Sequence, residues 1–226
     1  MGEIKAIQTE YNGFKFRSRA EARWAVFFDA CGIEWEYEPE GFELEDGTMY
    51  LPDFLLHNVY LRSTENNNDL IDLWVEVKGF GRMTEEDAHK IELFNSEPYF
   101  YSWDGGVNGY MSRRIIHPMF VVSSKMPNPA NNDIWGMQFY EKEVSFYSFC
   151  YADGDDYPAV LVATTDQRGA LTQYEAVGEE RGKKIDFALT DAAYEIALKA
   201  RFEHGETMTK TEVQNKARGF TKRRTI

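Results

Sequence analysis

The sequence feature that most constrains the fold is the segment Asp72–Lys78, in which apolar and polar side chains alternate. Successive side chains of a strand point to opposite faces, so Val75 and Val77 belong to one face. Glu76 and Lys78 belong to the other face and are neighbours on it. The segment therefore predicts a strand that buries one side and presents an acid beside a lysine on the other.

A second strand is predicted over Tyr50–Leu56, after the turn-forming residues 45–47. Pro52 lacks an N–H group, which indicates an edge or a bulge at the point where Asp53 must be aimed. If the two strands pair, Asp53 lies beside Glu76, and such a pair of carboxylates suits a hard cation such as Mg²⁺. Lys78 would then orient or deprotonate a water molecule beside the cation.

A helix is predicted from Ser18 to Cys31, because Ser18 and Glu21 have the spacing of a capping box and Gly32 stands where a helix stops. Its buried stripe recurs at helical spacing and comprises Ala20, Trp24, Phe27, Phe28 and Cys31. Glu21 lies at the edge of that stripe. It has two interpretations, a helix cap or a third carboxylate directed at the metal.

The remaining patterns predict a mixed α/β chain. A strand over residues 33–37 and a helix over Thr84–Phe94 surround the two strands described above, and a strand over Ile115–Ser123 follows. Residues 62–69 and 99–109 are predicted loops. Further strands are predicted at Ile134–Tyr140, Val144–Phe149 and Tyr157–Ala163, and a helix at Thr190–His204. We expect a core over residues 1–125, a β-rich extension with its helix over 126–206, and a flexible basic tail over 207–226.

Charge is the feature that fits least well with a nucleic-acid ligand. The formal net charge is −13, and phosphate binding depends on Lys and Arg that displace counterions. The basic residues concentrate in the tail, and a bound cation would offset part of the local acidity. The candidate phosphate-binding residues are Lys90, Lys210, Lys216, Arg218, Lys222, Arg223 and Arg224.

Two features of the sequence indicate the cellular compartment of the protein. Cys31 and Cys150 lie far apart and form no CxxC pair, which is typical of proteins from a reducing cytoplasm. The apolar runs are too short to cross a bilayer, so we expect no membrane association. At 43% hydrophobic residues, the chain has ample material for a folded core.

The order helix, three strands, helix, strand, combined with Pro52-Asp53 and Glu76-Val77-Lys78, resembles the PD-(D/E)xK nuclease superfamily. The resemblance covers about residues 14–125 and is closest to members encoded by phages and other mobile elements. It implies a restriction-endonuclease-like fold and a Mg²⁺-dependent deoxyribonuclease, with Mn²⁺ able to substitute. It also implies DNA as the partner, a bacterial or phage-infected cytoplasm, and the option of a homodimer that cuts two strands.

The resemblance further implies a role for each matching residue. Asp53 and Glu76 would be metal ligands, Val77 would contribute its backbone carbonyl, and Lys78 would be the catalytic lysine that supports the attacking water. Glu21 matches the helix acid with which many members complete the site. Recombination, repair or the processing of mobile DNA would be the setting of this activity.

A second class of function stays open from the sequence. The acidic charge favours an interaction protein that keeps the nuclease scaffold without catalysis, as a DNA mimic, as an inhibitor of a host nucleic-acid-binding system, or within a partner complex. The complete set of acids and lysine favours the nuclease.

Overall fold

The protein is described here from a computed structural model. The described residues are 8–61, 70–78, 83–102, 109–124, 126, 136–140, 143–153, 159–165, 184–185, 187–203 and 207–224. The predicted loop over residues 62–69 lies outside them.

Four helices occur in this part of the chain: α1 (Arg19–Cys31), α2 (Glu85–Asn95), α3 (Phe187–Lys199) and α4 (Lys210–Arg224). The strands up to the lysine of the motif are β1 (Thr9–Tyr11), β2 (Phe14–Phe16), β3 (Glu34–Tyr37), β4 (Phe42–Glu43), β5 (Met49–Tyr50), β6 (Phe54–Leu61) and β7 (Leu70–Lys78). The later strands are β8 (Ser96–Ser102), β9 (Gly109–Ile115), β10 (Met119–Ser123), β11 (Gly136–Tyr140), β12 (Glu143–Asp153), β13 (Ala159–Thr165) and β14 (Lys184–Ile185).

Helix α1 forms as its caps predict. The Ser18 hydroxyl accepts a hydrogen bond from the Glu21 N–H at 3.2 Å, which satisfies one of the free donors of the first turn. At the other end Gly32 adopts a left-handed φ of 74°, a conformation that costs other residues steric strain. The predicted stripe is confirmed at Trp24 and Phe28, which are fully buried.

The main sheet has eight strands in this part of the chain, and β7 lies in its interior. Strand β7 pairs antiparallel with β6 and parallel with β10. On the far side of β6, strand β3 pairs antiparallel with the first half and β13 pairs parallel with the last residues. The parallel β7–β10 pair requires a crossover, and helix α2 lies on that connection.

Two apolar clusters cover the opposite faces of this sheet. One cluster joins α1, α3 and α4 to alternate residues of the strands, including Val75 and Phe120. The other joins α2 to the intervening residues, including Trp74 and Val121. Glu76 follows Trp74 by two residues, so its side chain belongs to the α2 face, as the alternation predicts. The chain is thus a mixed α/β protein with helices on both faces of a mixed sheet.

Several predicted segments differ from the structure, and the helix predicted over Thr190–His204 runs from Phe187 to Lys199. The single strand predicted over Tyr50–Leu56 is split into β5 and β6, because Pro52 cannot donate to a ladder and Leu51–Asp53 leave the sheet. The predicted loop over residues 99–109 begins within the hairpin β8–β9. The strand predicted to start at Ile115 starts at Met119, because Ile115 ends β9.

The C-terminal part adds to the same sheet. Strand β11 pairs with β10 and β13 pairs with β6, so the β-rich extension continues the sheet of the N-terminal core. The basic segment expected to be a flexible tail contains α4, whose Val213 and Ala217 are fully buried against the first cluster. The apolar residues of that segment, spaced by four, explain the packing.

Candidate functional site

Asp53 lies at the bend between β5 and β6, and it is only 4% exposed. The Val77 N–H donates to its Oδ2 atom at 2.7 Å, and the Arg17 guanidinium donates to its Oδ1 atom at 2.9 Å. The Asp53 carbonyl accepts the N–H of Glu38 at 2.9 Å. Both the side chain and the backbone of Asp53 are therefore fixed by neighbouring strands.

Glu76 lies next to Asp53 across the β6–β7 ladder. Phe54 pairs with Val75, so Asp53 stands one residue before the ladder at the level of Glu76, and the Glu76 charge acts on it directly. Glu76 is 5% exposed, and its Oε2 atom accepts the hydroxyl of Tyr50 at 3.0 Å. The structure thus brings together the two carboxylates that the sequence singles out.

The electrostatics of the pair are unfavourable without an added cation. Burial, the Glu76 carboxylate and the Glu21 carboxylate raise the pKa of Asp53 well above its usual value. Burial also raises the pKa of Glu76, although Lys78 and the Tyr50 hydroxyl oppose that rise. Two buried acids with raised pKa values either keep a proton or bind a cation.

Pro52 affects the backbone at the same point. The paired residues of β6 and β7 begin at Phe54 and Val75, so Pro52 lies just outside the ladder. Proline has no N–H and cannot donate a ladder hydrogen bond from this position. The Val77 N–H donates to the Asp53 carboxylate.

Lys78 stands at the end of β7 between two acids. Its Nζ atom lies 3.0 Å from Glu76 Oε1 and 3.2 Å from Asp87 Oδ1. Burial lowers the pKa of Lys78, but these two ion pairs outweigh burial and the pKa is raised. Asp87 is itself held by Thr84, whose N–H and hydroxyl both donate to Asp87 Oδ2 in the first turn of α2. The ammonium group of Lys78 is therefore held between Glu76 of the carboxylate pair and Asp87 of α2.

The Glu21 carboxylate makes its hydrogen bonds at the N-terminal cap of α1. Its Oε1 atom accepts the Ser18 hydroxyl at 2.6 Å, and its Oε2 atom accepts the Tyr37 hydroxyl at 2.6 Å and the Arg17 N–H at 3.0 Å. The glutamate is 7% exposed and acts on Asp53 through its charge. Of its two interpretations, the cap is the one for which the structure provides hydrogen-bond partners.

Arg17, Tyr50 and Asp87 are site residues that the sequence reasoning missed. Arg17 directly precedes Ser18, the first residue of the capping box. This position at the start of α1 is the only feature of the sequence that could have indicated its role. Tyr50 and Asp87 reach Glu76 and Lys78 only through tertiary packing. A pattern in a single sequence carries no information on such contacts.

The candidate phosphate-binding residues have no contact with Asp53 or Glu76 among those that the structure describes. Lys90 pairs with Glu86 one turn before it on α2, at 2.5 Å. Lys210 lies 3.3 Å from the buried Asp29 near the end of α1, whereas the site adjoins the beginning of α1. Lys216 and Arg218 are exposed on α4, and Lys222, Arg223 and Arg224 belong to the last turn of that helix.

The oxygen atoms around Asp53 could provide some of the ligands of a metal ion, with water molecules completing its coordination. Among the described residues, no three His, Cys, Asp or Glu side chains converge into a metal-binding group. Mg²⁺ is usually held by one or two carboxylates and keeps several waters, so Asp53, Glu76 and a carbonyl suffice for it. The residues present fit such an ion.

Comparison of the chain with family models, curated proteins and solved structures finds no match. Within the described residues, none of the helices has the length and apolar character needed to cross a bilayer. The assignment of a function therefore depends on the geometry of the site itself.

Proposed function

We propose that this protein is a metal-dependent deoxyribonuclease of the PD-(D/E)xK type, using Mg²⁺ or Mn²⁺ to hydrolyse DNA phosphodiester bonds. The observation that carries the proposal is the buried pair Asp53 and Glu76 with the ammonium group of Lys78 3.0 Å from Glu76. A buried pair of acids with raised pKa values, placed beside a fixed lysine, is a common arrangement of functional sites. The setting we propose is recombination, repair or phage DNA processing in a bacterial cytoplasm.

The order of elements supports a restriction-endonuclease-like core. Helix α1 is followed by β3, β6 and β7, then by α2 and β10, with short hairpins between them. The strands are adjacent in the order β3, β6, β7, β10, with the last pair parallel. Asp53 directly precedes β6 and Glu76 lies on the neighbouring β7, which is consistent with the sharing of a cation.

Each residue has a distinct task in the proposed reaction. Asp53, Glu76 and the Val77 carbonyl would hold the cation, which supplies positive charge to the phosphoryl oxygens and lowers the pKa of water. Lys78, held by Glu76 and Asp87, orients the attacking water and places positive charge near the phosphorus. The water oxygen forms the new P–O bond in line and gives up a proton to solvent, while the P–O bond to the leaving oxygen breaks and that oxygen takes up a proton from solvent.

The test is cleavage of linear, nicked and branched DNA by purified protein with Mg²⁺ or Mn²⁺. We expect Asp53→Asn and Lys78→Ala to lower the cleavage rate by roughly a hundredfold or more, because charge stabilisation and positioning are both lost. Asp72→Asn and Lys199→Ala are matched controls on exposed side chains and should cut at the wild-type rate. Cleavage at an undiminished rate in both site variants would refute the assignment.

The net charge of −13 favours a second candidate function, an acidic interaction protein that imitates DNA. Such a protein would cut none of the substrates with either cation. It would also displace labelled duplex DNA from a nonspecific DNA-binding protein, and Asp53→Asn would displace DNA equally well. Cation-dependent cleavage that is lost in Asp53→Asn excludes this alternative as the main activity.

A further inference from the structure

Arg17 is the one guanidinium group in direct contact with Asp53 among the described residues. Its Nη2 atom lies 2.9 Å from Asp53 Oδ1 and 2.5 Å from Glu38 Oε1. The arginine side chain is 56% exposed, whereas the Asp53 side chain is 6% exposed. The guanidinium therefore lies at the mouth of the site, half in solvent, above a carboxylate that is almost fully buried.

The backbone beneath this arginine is anchored independently of its side chain. The Arg17 N–H donates to Glu21 Oε2 at 3.0 Å and to the Tyr37 hydroxyl at 3.1 Å. Glu38 is held with a positive φ of 46°, and its N–H donates to the Asp53 carbonyl. A side chain on a fixed backbone, with an exposed end, can change partners by rotating its own torsions alone.

The contact with Asp53 is not needed to hold the carboxylate in place. The Val77 N–H already anchors Oδ2 from the neighbouring strand. The arginine end of this ion pair is exposed, so solvent weakens its attraction to Asp53. A cation that binds Asp53 would compete with the guanidinium for Oδ1 and repel it. The displaced group would then face the solvent side, from which a polyanion approaches.

We propose that Arg17 is a phosphate-binding residue that neutralises Asp53 in the absence of a divalent cation and binds a DNA backbone phosphate once a cation occupies the carboxylate pair. The inference rests on the proposed function and names the residue that recognises the substrate. The planar fork of arginine matches phosphate oxygens in a way that the ammonium of lysine does not. An acidic protein gains from such a contact directly at the reaction centre.

The first test is calorimetric titration of Mn²⁺ into the full chain, without DNA. Arg17→Gln removes the competing cation, so we expect it to bind Mn²⁺ more tightly than the wild type. Arg19→Gln is the matched control, because Arg19 pairs with Glu203 away from the site and should leave Mn²⁺ affinity unchanged. Equal or weaker Mn²⁺ binding by Arg17→Gln would overturn the competition between arginine and metal.

The second test measures cleavage kinetics and their salt dependence. We expect Arg17→Gln to raise the KM for a fluorescent duplex oligonucleotide by roughly tenfold. The slope of log affinity against log salt should fall by about 0.9, the value for one lost phosphate contact. Arg17→Lys retains the charge and should give an intermediate KM, which also serves if Arg17→Gln is unfolded. An unchanged KM and slope in both variants would overturn phosphate binding.

Different results would refute the nuclease function and the role of Arg17. If wild-type protein neither binds Mn²⁺ nor cuts DNA, the proposed function fails and this inference falls with it. If wild-type protein binds Mn²⁺ and cuts DNA while both Arg17 variants behave like Arg19→Gln, only the role of Arg17 is refuted.

Discussion

At the scale of single residues, Asp53 experiences interactions of opposite sign. The Val77 N–H and the Arg17 guanidinium stabilise its ionised form, while burial, Glu76 and Glu21 destabilise it. The unfavourable contributions are larger, because the pKa of Asp53 is raised above its usual value. A site that costs the folded protein free energy when empty is typical of residues kept for chemistry rather than stability.

This balance predicts that Asp53→Asn stabilises the metal-free protein. The amide oxygen can still accept the Val77 N–H, and the charge that opposes Glu76 is removed. We expect the free energy of unfolding at neutral pH to rise by on the order of 1 kcal/mol, the scale of a single stabilising substitution. Denaturant melts with a chelator present measure the change, with Asp72→Asn as the control.

The stability difference between Asp53→Asn and the wild type should also depend on pH. Because the folded pKa of Asp53 is raised, its contribution to stability is complete below the unfolded pKa of about 3.9 and is lost as the pH rises through the folded pKa. The advantage of Asp53→Asn over the wild type should therefore grow as the pH rises from the acidic range. A variant that is less stable than the wild type at neutral pH would contradict the raised pKa.

At the scale of elements, α4 ties the basic segment to the core. Val213 and Ala217 are fully buried, and Lys210 reaches Asp29, whose other partners are Tyr11 and Trp35. Burial raises the pKa of Asp29, although Tyr11, Trp35 and Lys210 oppose that rise. The helix is thus part of the cluster that covers one face of the sheet.

This packing predicts a difference between two substitutions on α4. Val213→Ala leaves a cavity under the helix and should lower the free energy of unfolding by about 2 kcal/mol. Lys216→Ala, on the exposed side of the same helix, should change it by less than about 0.5 kcal/mol. Denaturant melts provide both values. Two equally small effects would instead indicate that the segment is a flexible tail.

The elements also show what a single sequence can predict. Helix α1 was predictable because Ser18, Glu21 and Gly32 specify its ends through local hydrogen bonds and backbone conformation. Alternation in β7 predicted that Glu76 and Lys78 share a face, whereas the proximity of Asp53 to Glu76 was expected only if the two strands pair. The roles of Arg17 and Asp87 depend on contacts between different segments, and the hairpin β8–β9 depends on the pairing of its two strands along their length.

At the scale of the whole molecule, the charge distribution shapes how DNA would be bound. The net charge of −13 opposes association with a polyanion at long range, most strongly at low ionic strength. A cation at the carboxylate pair would supply local positive charge against this field, as would the exposed Lys216 and Arg218 of α4. Divalent cation binding and DNA binding are therefore expected to be linked, each favouring the other.

The central claim is that Asp53 and Glu76 together bind a divalent cation, and the most direct measurement is calorimetric titration of Mn²⁺ into wild-type protein, Asp53→Asn, Glu76→Gln and the control Asp72→Asn. We predict saturable binding by the wild type and by Asp72→Asn, and loss of that binding in both site variants. Binding of equal affinity in all four proteins, or its absence from the wild type, would contradict the account.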